Sequence, residues 1–337
     1  MNLNKSLSAL SNVCGVSGDE RAAVCTALEM LHNYTDSCRI VNGNVIADFG
    51  VRGQGKPHVL IDAHLDEIGL TVSYIDEDGF IIPSNIGGID VRLLPAQKVI
   101  IHSRGGDIYA VVSTVPPHLS SSDPVLSDIG DVRIDTGYSR EELEKLVSPG
   151  DTISFSSEYK NLLSSNVTGK SLDNRSSVAA VLKMLDILSD KYYECSFSVL
   201  FSCKEETGEQ GAKTGCYNIN PDIAIAVDVS FALTNDDSPE KCGRLGEGPM
   251  IGAAPTLSRE VTQRLIDTAI KNNIPYQIEV MGGLSGTNAD QFSISRNGVK
   301  TCTCSIPLRY MHTPTEVASL EDIENTAALL AAFISEV

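Results

Sequence analysis

From about residue 162 to the C-terminus, apolar runs of strand length alternate with helical repeats, and this alternation constrains the fold most. The runs SFSVLFSC, IAIAVDVS, PYQIEVM and TCTCSIP are interspersed with the helical patterns DNRSSVAAVLKMLDILSD, SREVTQRLIDTAIKN, NADQFSISRNG and SLEDIENTAALLAAFISEV. In the first helix Val178, Val181, Leu182, Leu185 and Leu188 share one face. Alternation of this kind predicts an α/β fold, a mostly parallel sheet flanked by helices on both faces. HVLIDAHL, upstream, has the same character of a fully buried strand.

A different pattern interrupts it. GLTVSYIDEDGFIIP, KVIIHSRGGDIYAVVS and PGDTISF are short strands with turn signals, and EELEKLV at 141–147 is the one helix expected among them. This predicts a small all-β domain inserted into the α/β domain. The division is 1–68 for the first α/β segment, 69–161 for the insert and 162–337 for the second segment. Two domains suit a chain of 337 residues. Near the N-terminus a helical pattern over 5–33 breaks at Gly15–Gly18, and CRIVNGNVIADF has a hairpin signal at Asn42-Gly43.

In open α/β sheets ligands collect beyond the carboxyl ends of the strands. There this chain carries His64 after HVLIDA, Glu205 and Glu206 after SVLFSC, Asp228 after IAIAV and His312 after TCTCSIP. Asp173 stands at the start of a helix, a good capping position and also a ligand position. A single strand-end Asp is usually a turn or cap, and a single His usually a hydrogen-bonded core residue; joint placement changes the reading. Two imidazoles and three carboxylates suit a pair of divalent cations, Zn²⁺ or Co²⁺, with Mn²⁺ also admitted. The adjacent glutamates project differently, so one can bind metal while the other serves as general base; their order stays open at this point. Asp66, two residues after His64, is placed to accept the other imidazole N–H.

Rival chemistries fit less well. GGLSGTN has Thr287 where a nucleophile elbow needs its second Gly, GEQGAKTG lacks the phosphate-loop spacing, and HExxH is absent. His102 and His118 fall in the β insert, where a structural use is expected for His102. A net charge of −18 argues against nucleic acid and anionic membranes. No run approaches the ~18–20 apolar residues of a membrane span, and the N-terminus lacks a signal-peptide h-region, so a cytoplasmic protein is expected. Nine scattered cysteines, without CxxC, read as reduced thiols.

Through DAHLDEIG, PPHL, GKSLDNR, KEETGEQGA, AVDVS, LGEGPMI, SGTNADQF and IPLRYMHTPTE the chain resembles the M42 family of metallo-aminopeptidases, the glutamyl and tetrahedral aminopeptidase group. The resemblance implies an α/β catalytic domain with an inserted β dimerisation domain, and large homo-oligomers, typically tetrahedral dodecamers. It implies that His64 and Asp228 hold one metal, Glu206 and His312 the other, and Asp173 bridges them. Glu205 is then the general base and Asp66 orients His64. The expected activity is removal of N-terminal residues from peptides with a free N-terminus, by attack of a metal-bridging hydroxide. A deacylase or carboxypeptidase on the same bimetal chemistry is the alternative, as is an inert subunit of a mixed assembly. An endoglucanase activity is not expected, since the chain has no Trp for a sugar platform. Asn288 stands where related sequences usually read Asp, which removes a charge expected near the substrate side of the site.

Overall fold

The computed structural model describes residues 1–53, 55–119, 128–235 and 237–337. The chain begins with helices α1 (Leu3–Asn12) and α2 (Arg21–Leu31), then strands β1 (Cys38–Val41), β2 (Asn44–Phe49) and β3 (His58–His64). A six-stranded segment follows: β4 (Gly69–Ile75), β5 (Ile81–Ile86), β6 (Lys98–Ser103), β7 (Gly106–Val112), β8 (Ile134–Asp135), helix α3 (Arg140–Leu146) and β9 (Thr152–Phe155). The remainder is β10 (Lys160–Asn161), β11 (Asn166–Gly169), α4 (Leu172–Leu188), β12 (Ser196–Ser202), α5 (Gln210–Ile219), β13 (Ile223–Phe231) and β14 (Met250–Ala253). It ends with α6 (Arg259–Lys271), β15 (Gln277–Val280), α7 (Ala289–Ser293), β16 (Lys300–Arg309), β17 (Glu316–Ser319) and α8 (Leu320–Glu336).

The large sheet has 11 strands in the order β1-β2-β12-β3-β13-β16-β17-β11-β10, with β14 on β16 and β15 on β14. Its centre, β12-β3-β13-β16, is parallel, as is the β14-β15 pair. Among the described residues its other strand pairings are antiparallel. The sheet is therefore mixed, which corrects the expectation of a mostly parallel one. The reason lies in the connections. Asn42 and Gly43, both at positive φ, turn β1 straight back into β2, and the short links among β10, β11 and β16–β17 leave no room for a crossover helix. Helix α5, unexpected from its Gly-rich sequence, supplies the crossover between β12 and β13.

Period-two alternation assigns the two faces of the sheet. Val59, Ile61 and Ala63 of β3 pack with Leu7, Leu10, Val178, Leu182, Leu265 and Leu330, under α1, α4, α6 and α8. Leu60 faces the other way, with Ala224, Ala226, Leu200 and the apolar sides of α5 and α7. Those two helices are short, 10 and 5 residues.

Strands β4–β9 close into a six-stranded barrel in the order β4-β5-β8-β7-β6-β9, with no free edge. It has its own core, including Leu70, Val72, Ile81, Val99, Ile101, Val112, Ile134 and Ile153. Helix α3 begins where Glu142 reaches back to accept from the Ser139 backbone N–H at 3.1 Å. Where barrel meets sheet, Glu67 and Lys170 form a buried ion pair at 2.7 Å. Glu67 also accepts from the Gly15 N–H at 2.8 Å.

Candidate metal centre

The four central strands converge at one edge. His64 closes β3, Ser202 lies opposite it on β12 with Glu205 and Glu206 just beyond, and Asp228 lies in β13 before the strand ends at Phe231. His312 follows β16 at positive φ. Asp173 comes from the irregular first turn of α4, where neither it nor Asn174 has helical backbone angles. It does not cap that helix, whose N-cap is Ser171; its carboxylate turns to the imidazoles instead.

All seven residues expected at the site meet in one cluster. Asp173 Oδ1 is 3.2 Å from His64 Nε2, and Asp173 Oδ2 is 3.3 Å from His312 Nε2. Asp228 Oδ1 lies 3.6 Å from His64 Nε2 and Glu206 Oε2 lies 3.4 Å from His312 Nε2. Glu205 Oε2 stands 4.0 Å from His64 Nε2. Three sets, His64–Asp173–Asp228, Asp173–Glu206–His312 and His64–Glu205–Glu206, each offer ligand atoms within 4.8 Å of one another.

The outward ring nitrogens are anchored. His64 Nδ1 lies 3.2 Å from the Asp66 carbonyl and 3.5 Å from its carboxylate, and His312 Nδ1 lies 3.0 Å from the Gly88 carbonyl. Both Nε2 atoms are left to face the carboxylates. Asp66 does more than expected: its two oxygens accept from the backbone N–H groups of Glu205 and Glu206, both at 3.0 Å.

The electrostatics show what such a set requires. Burial works against a charged imidazole, yet the Asp173 and Glu206 carboxylates outweigh it and lift His312 to about 11. Asp173 and Asp228 likewise lift His64 well above its ordinary value. Burial pushes Glu205 up to about 9, and Asp228, Glu206 and Asp173 add to the push while His64 opposes it. Four carboxylates held together against two imidazoles call for additional positive charge, and the N/O donor set suits divalent metal.

Several contributors were not singled out in the sequence. Glu316, fully buried, accepts from the backbone N–H of Asp173 at 3.0 Å and of His312 at 2.9 Å. Thr287 Oγ1 donates to Asp228 Oδ2. Asp62, two residues before His64 on the same face, is raised to about 7 by burial. Its partner is Asn288, whose Nδ2 donates to Asp62 Oδ2 at 2.7 Å and to Ser202 Oγ at 2.9 Å. Asn288 is thus buried under the site rather than on its substrate side, a correction to the sequence reading. An Asp there would set two carboxylates against each other. His102, as expected, serves the barrel, with Ser154 and Asp107 each at 2.8 Å.

The cluster opens into a cavity of about 790 Å³, whose walls include Phe231, Met250, Ile278, Glu279 and Met281. The M42 glutamyl aminopeptidase family profile matches residues 43–329. The chain belongs to the M42 peptidase family. Among its relatives the lysyl aminopeptidase of Pyrococcus furiosus is 34% identical over 335 residues, 96% of this chain and 94% of that one. An aminopeptidase from the archaeon Desulfurococcus kamchatkensis has the same fold, with a TM-score of 0.93, 33% identity, and 99% and 95% of the two chains covered. The TET1 peptidase of Pyrococcus horikoshii, which can assemble into a tetrahedron or a large octahedral shell, gives a TM-score of 0.87 at 30% identity over 100% of both chains. As an M42 peptidase the chain is a peptide hydrolase.

Proposed function

We propose that the chain is a dinuclear-metal aminopeptidase that removes N-terminal residues from peptides. The observation that carries this reading is Asp173, whose two carboxylate oxygens face different imidazoles at 3.2 and 3.3 Å, as a bridge between two cations requires. His64 and Asp228 would hold one divalent metal and Glu206 and His312 the other, as zinc, cobalt or manganese. When bound, the metals supply an acidified water and polarise the scissile carbonyl.

The chain's own groups do the rest. Glu205, at the cavity wall and without a hydrogen-bonding partner for its carboxylate among the described residues, takes the proton from the attacking water and returns it to the leaving amine. Asp66 fixes the peptide segment that carries both glutamates, and Glu316 fixes the backbone of Asp173 and His312. The substrate's free amine binds at this acidic end of the cavity, which restricts cleavage to the first peptide bond.

In this proposal residues 69–161 form an inserted dimerisation domain, and copies of the chain assemble into a homo-oligomer, with a tetrahedral dodecamer as the working hypothesis from TET relatives. A cytoplasmic location accords with nine cysteines that are all unpaired. The test is hydrolysis of a panel of free aminoacyl chromogenic substrates with Zn²⁺, Co²⁺ or Mn²⁺, and with chelator. Metal-dependent release is expected. Cleavage confined to N-acylated substrates would overturn the reading in favour of a deacylase. The lysyl and glutamyl names among relatives point to opposite charges, so the preferred N-terminal residue has to be sought in this chain's own cavity.

A further inference from the structure

Residues of β13, β16, β14 and β15 form the cavity floor. The strand registers set Asp228 beside Ser305, Ser305 beside Met250, and Gly252 beside Glu279. By alternation Asp228, Ser230, Thr303, Ser305, Gly252 and Glu279 all share one face of these strands. Glu279 reaches back across β14, and its carboxylate accepts from Ser230 Oγ and, at 3.1 Å, from Ser305 Oγ. A side chain at position 252 would block that floor, since a Cβ would lie 1.9 Å from Thr303 Oγ1. Thr303 Oγ1 is itself buried without a hydrogen-bond partner, in a residue 1% exposed.

Glu279 has no cationic partner among the described residues. Burial raises its carboxyl above the ordinary range, nearby Asp228 adds to this, and the two serine hydroxyls oppose it. Among the described residues Lys241 is the one Lys or Arg lining the cavity, and it is exposed, next to exposed Glu240. The floor thus offers one half-buried carboxylate, held in place by hydroxyls, and one unused hydroxyl.

Resting on the aminopeptidase reading, we infer that this floor receives the side chain of the substrate's N-terminal residue and selects a basic one, with Glu279 pairing its terminal cation. The length scale fits. Ser230 lies two residues beyond Asp228, about 7 Å along the strand. A lysine side chain spans five bonds of about 1.5 Å, or roughly 6 Å from Cα to Nζ. Its cation placed beside Ser230 leaves its backbone at the metal-ligand end. The apolar stem runs along Met250 and Met281. An acidic side chain would meet Glu279 as a like charge.

The experiment compares kcat/KM on lysyl, norleucyl and glutamyl nitroanilides for the metal-loaded wild type and Glu279→Gln. Norleucine keeps lysine's stem and lacks its amine. A charge-assisted hydrogen bond predicts a lysyl over norleucyl ratio of about 10- to 100-fold, with glutamyl below both. Glu279→Gln is expected to collapse that ratio towards one. Competitive inhibition by free L-lysine against L-norleucine, on wild-type enzyme, reads the same preference without a variant. Cleavage with norleucyl or glutamyl equal to or above lysyl would overturn this inference and leave the aminopeptidase reading standing. Silence on all three with metal bound would overturn the aminopeptidase reading and the inference with it.

Discussion

Asp66→Asn tests the architecture of the centre without touching a proposed metal ligand. The Asp66 carboxylate accepts two backbone N–H bonds at 3.0 Å, from Glu205 and Glu206, and lies 3.5 Å from His64 Nδ1. Hydrogen bonds to a charged group contribute about 1.5–3 kcal/mol each. Asparagine is nearly isosteric, but only its oxygen accepts; its NH2 would face the second backbone N–H donor to donor. One charge-assisted bond is lost and the other becomes a neutral one, so the local loss is about 2–4 kcal/mol. It falls on the segment that carries Glu205 and Glu206. Metal affinity should drop about 10- to 100-fold, the range for partners that orient metal ligands. At saturating wild-type metal, a 100-fold loss removes about 2.7 kcal/mol of metal-dependent stabilisation. Chelator competition measures the affinity, and denaturant unfolding with and without metal measures the linked stability. If Asp66→Asn bound both metals within threefold of wild type and kept its kcat, the hydrogen bonds drawn to the 205–206 segment would not be what positions the site.

Glu205→Gln should keep metal bound and lower kcat by about 10²–10⁴, read by steady-state kinetics beside metal analysis; near-wild-type turnover would remove Glu205 as the base. At Gly88 an added methyl would stand 2.9 Å from His312 Nδ1, so Gly88→Ala should displace that imidazole. Titration calorimetry is then expected to show one metal weakened far more than the other. Glu67→Gln leaves Lys170 buried without its carboxylate and should destabilise by about 3–5 kcal/mol at neutral pH. The pH dependence has a definite sign. Burial would raise Glu67, but Lys170 and Arg175 outweigh it and hold the folded value below the ordinary one. The group's stabilisation is therefore complete above about 4.3, the unfolded value, and is lost as pH falls through the folded value. Urea unfolding should show the gap between wild type and Glu67→Gln narrowing in that acid window; a gap constant down to acid pH would mean the pair contributes nothing through its charge.

Most of the ligand-type residues were legible because they sit at or near the carboxyl end of an apolar run, and strand ends in an α/β sheet are forced to a common edge; Asp173, in the first turn of α4, was legible instead from the helix start. The residues behind them were not. Asp62 lies inside HVLIDAH, where an apolar run hides one carboxylate, and its partner Asn288 is 226 positions away. Glu316 is one acidic letter at the start of the short strand β17, and only the fold brings its oxygens to the backbone of Asp173 and His312. The mixed sheet escaped for a related reason: strand spacing reports that strands exist, while direction depends on whether the link between them can cross over. Cavity specificity was the least readable layer. Glu279 lies on β15, and its meaning comes from Ser230 and Ser305 on β13 and β16, reached across a glycine strand position. Chemistry in this chain is thus written at strand ends, where one segment suffices to expose it. Selectivity is written across strands, where three distant segments must be paired before a carboxylate becomes a pocket floor.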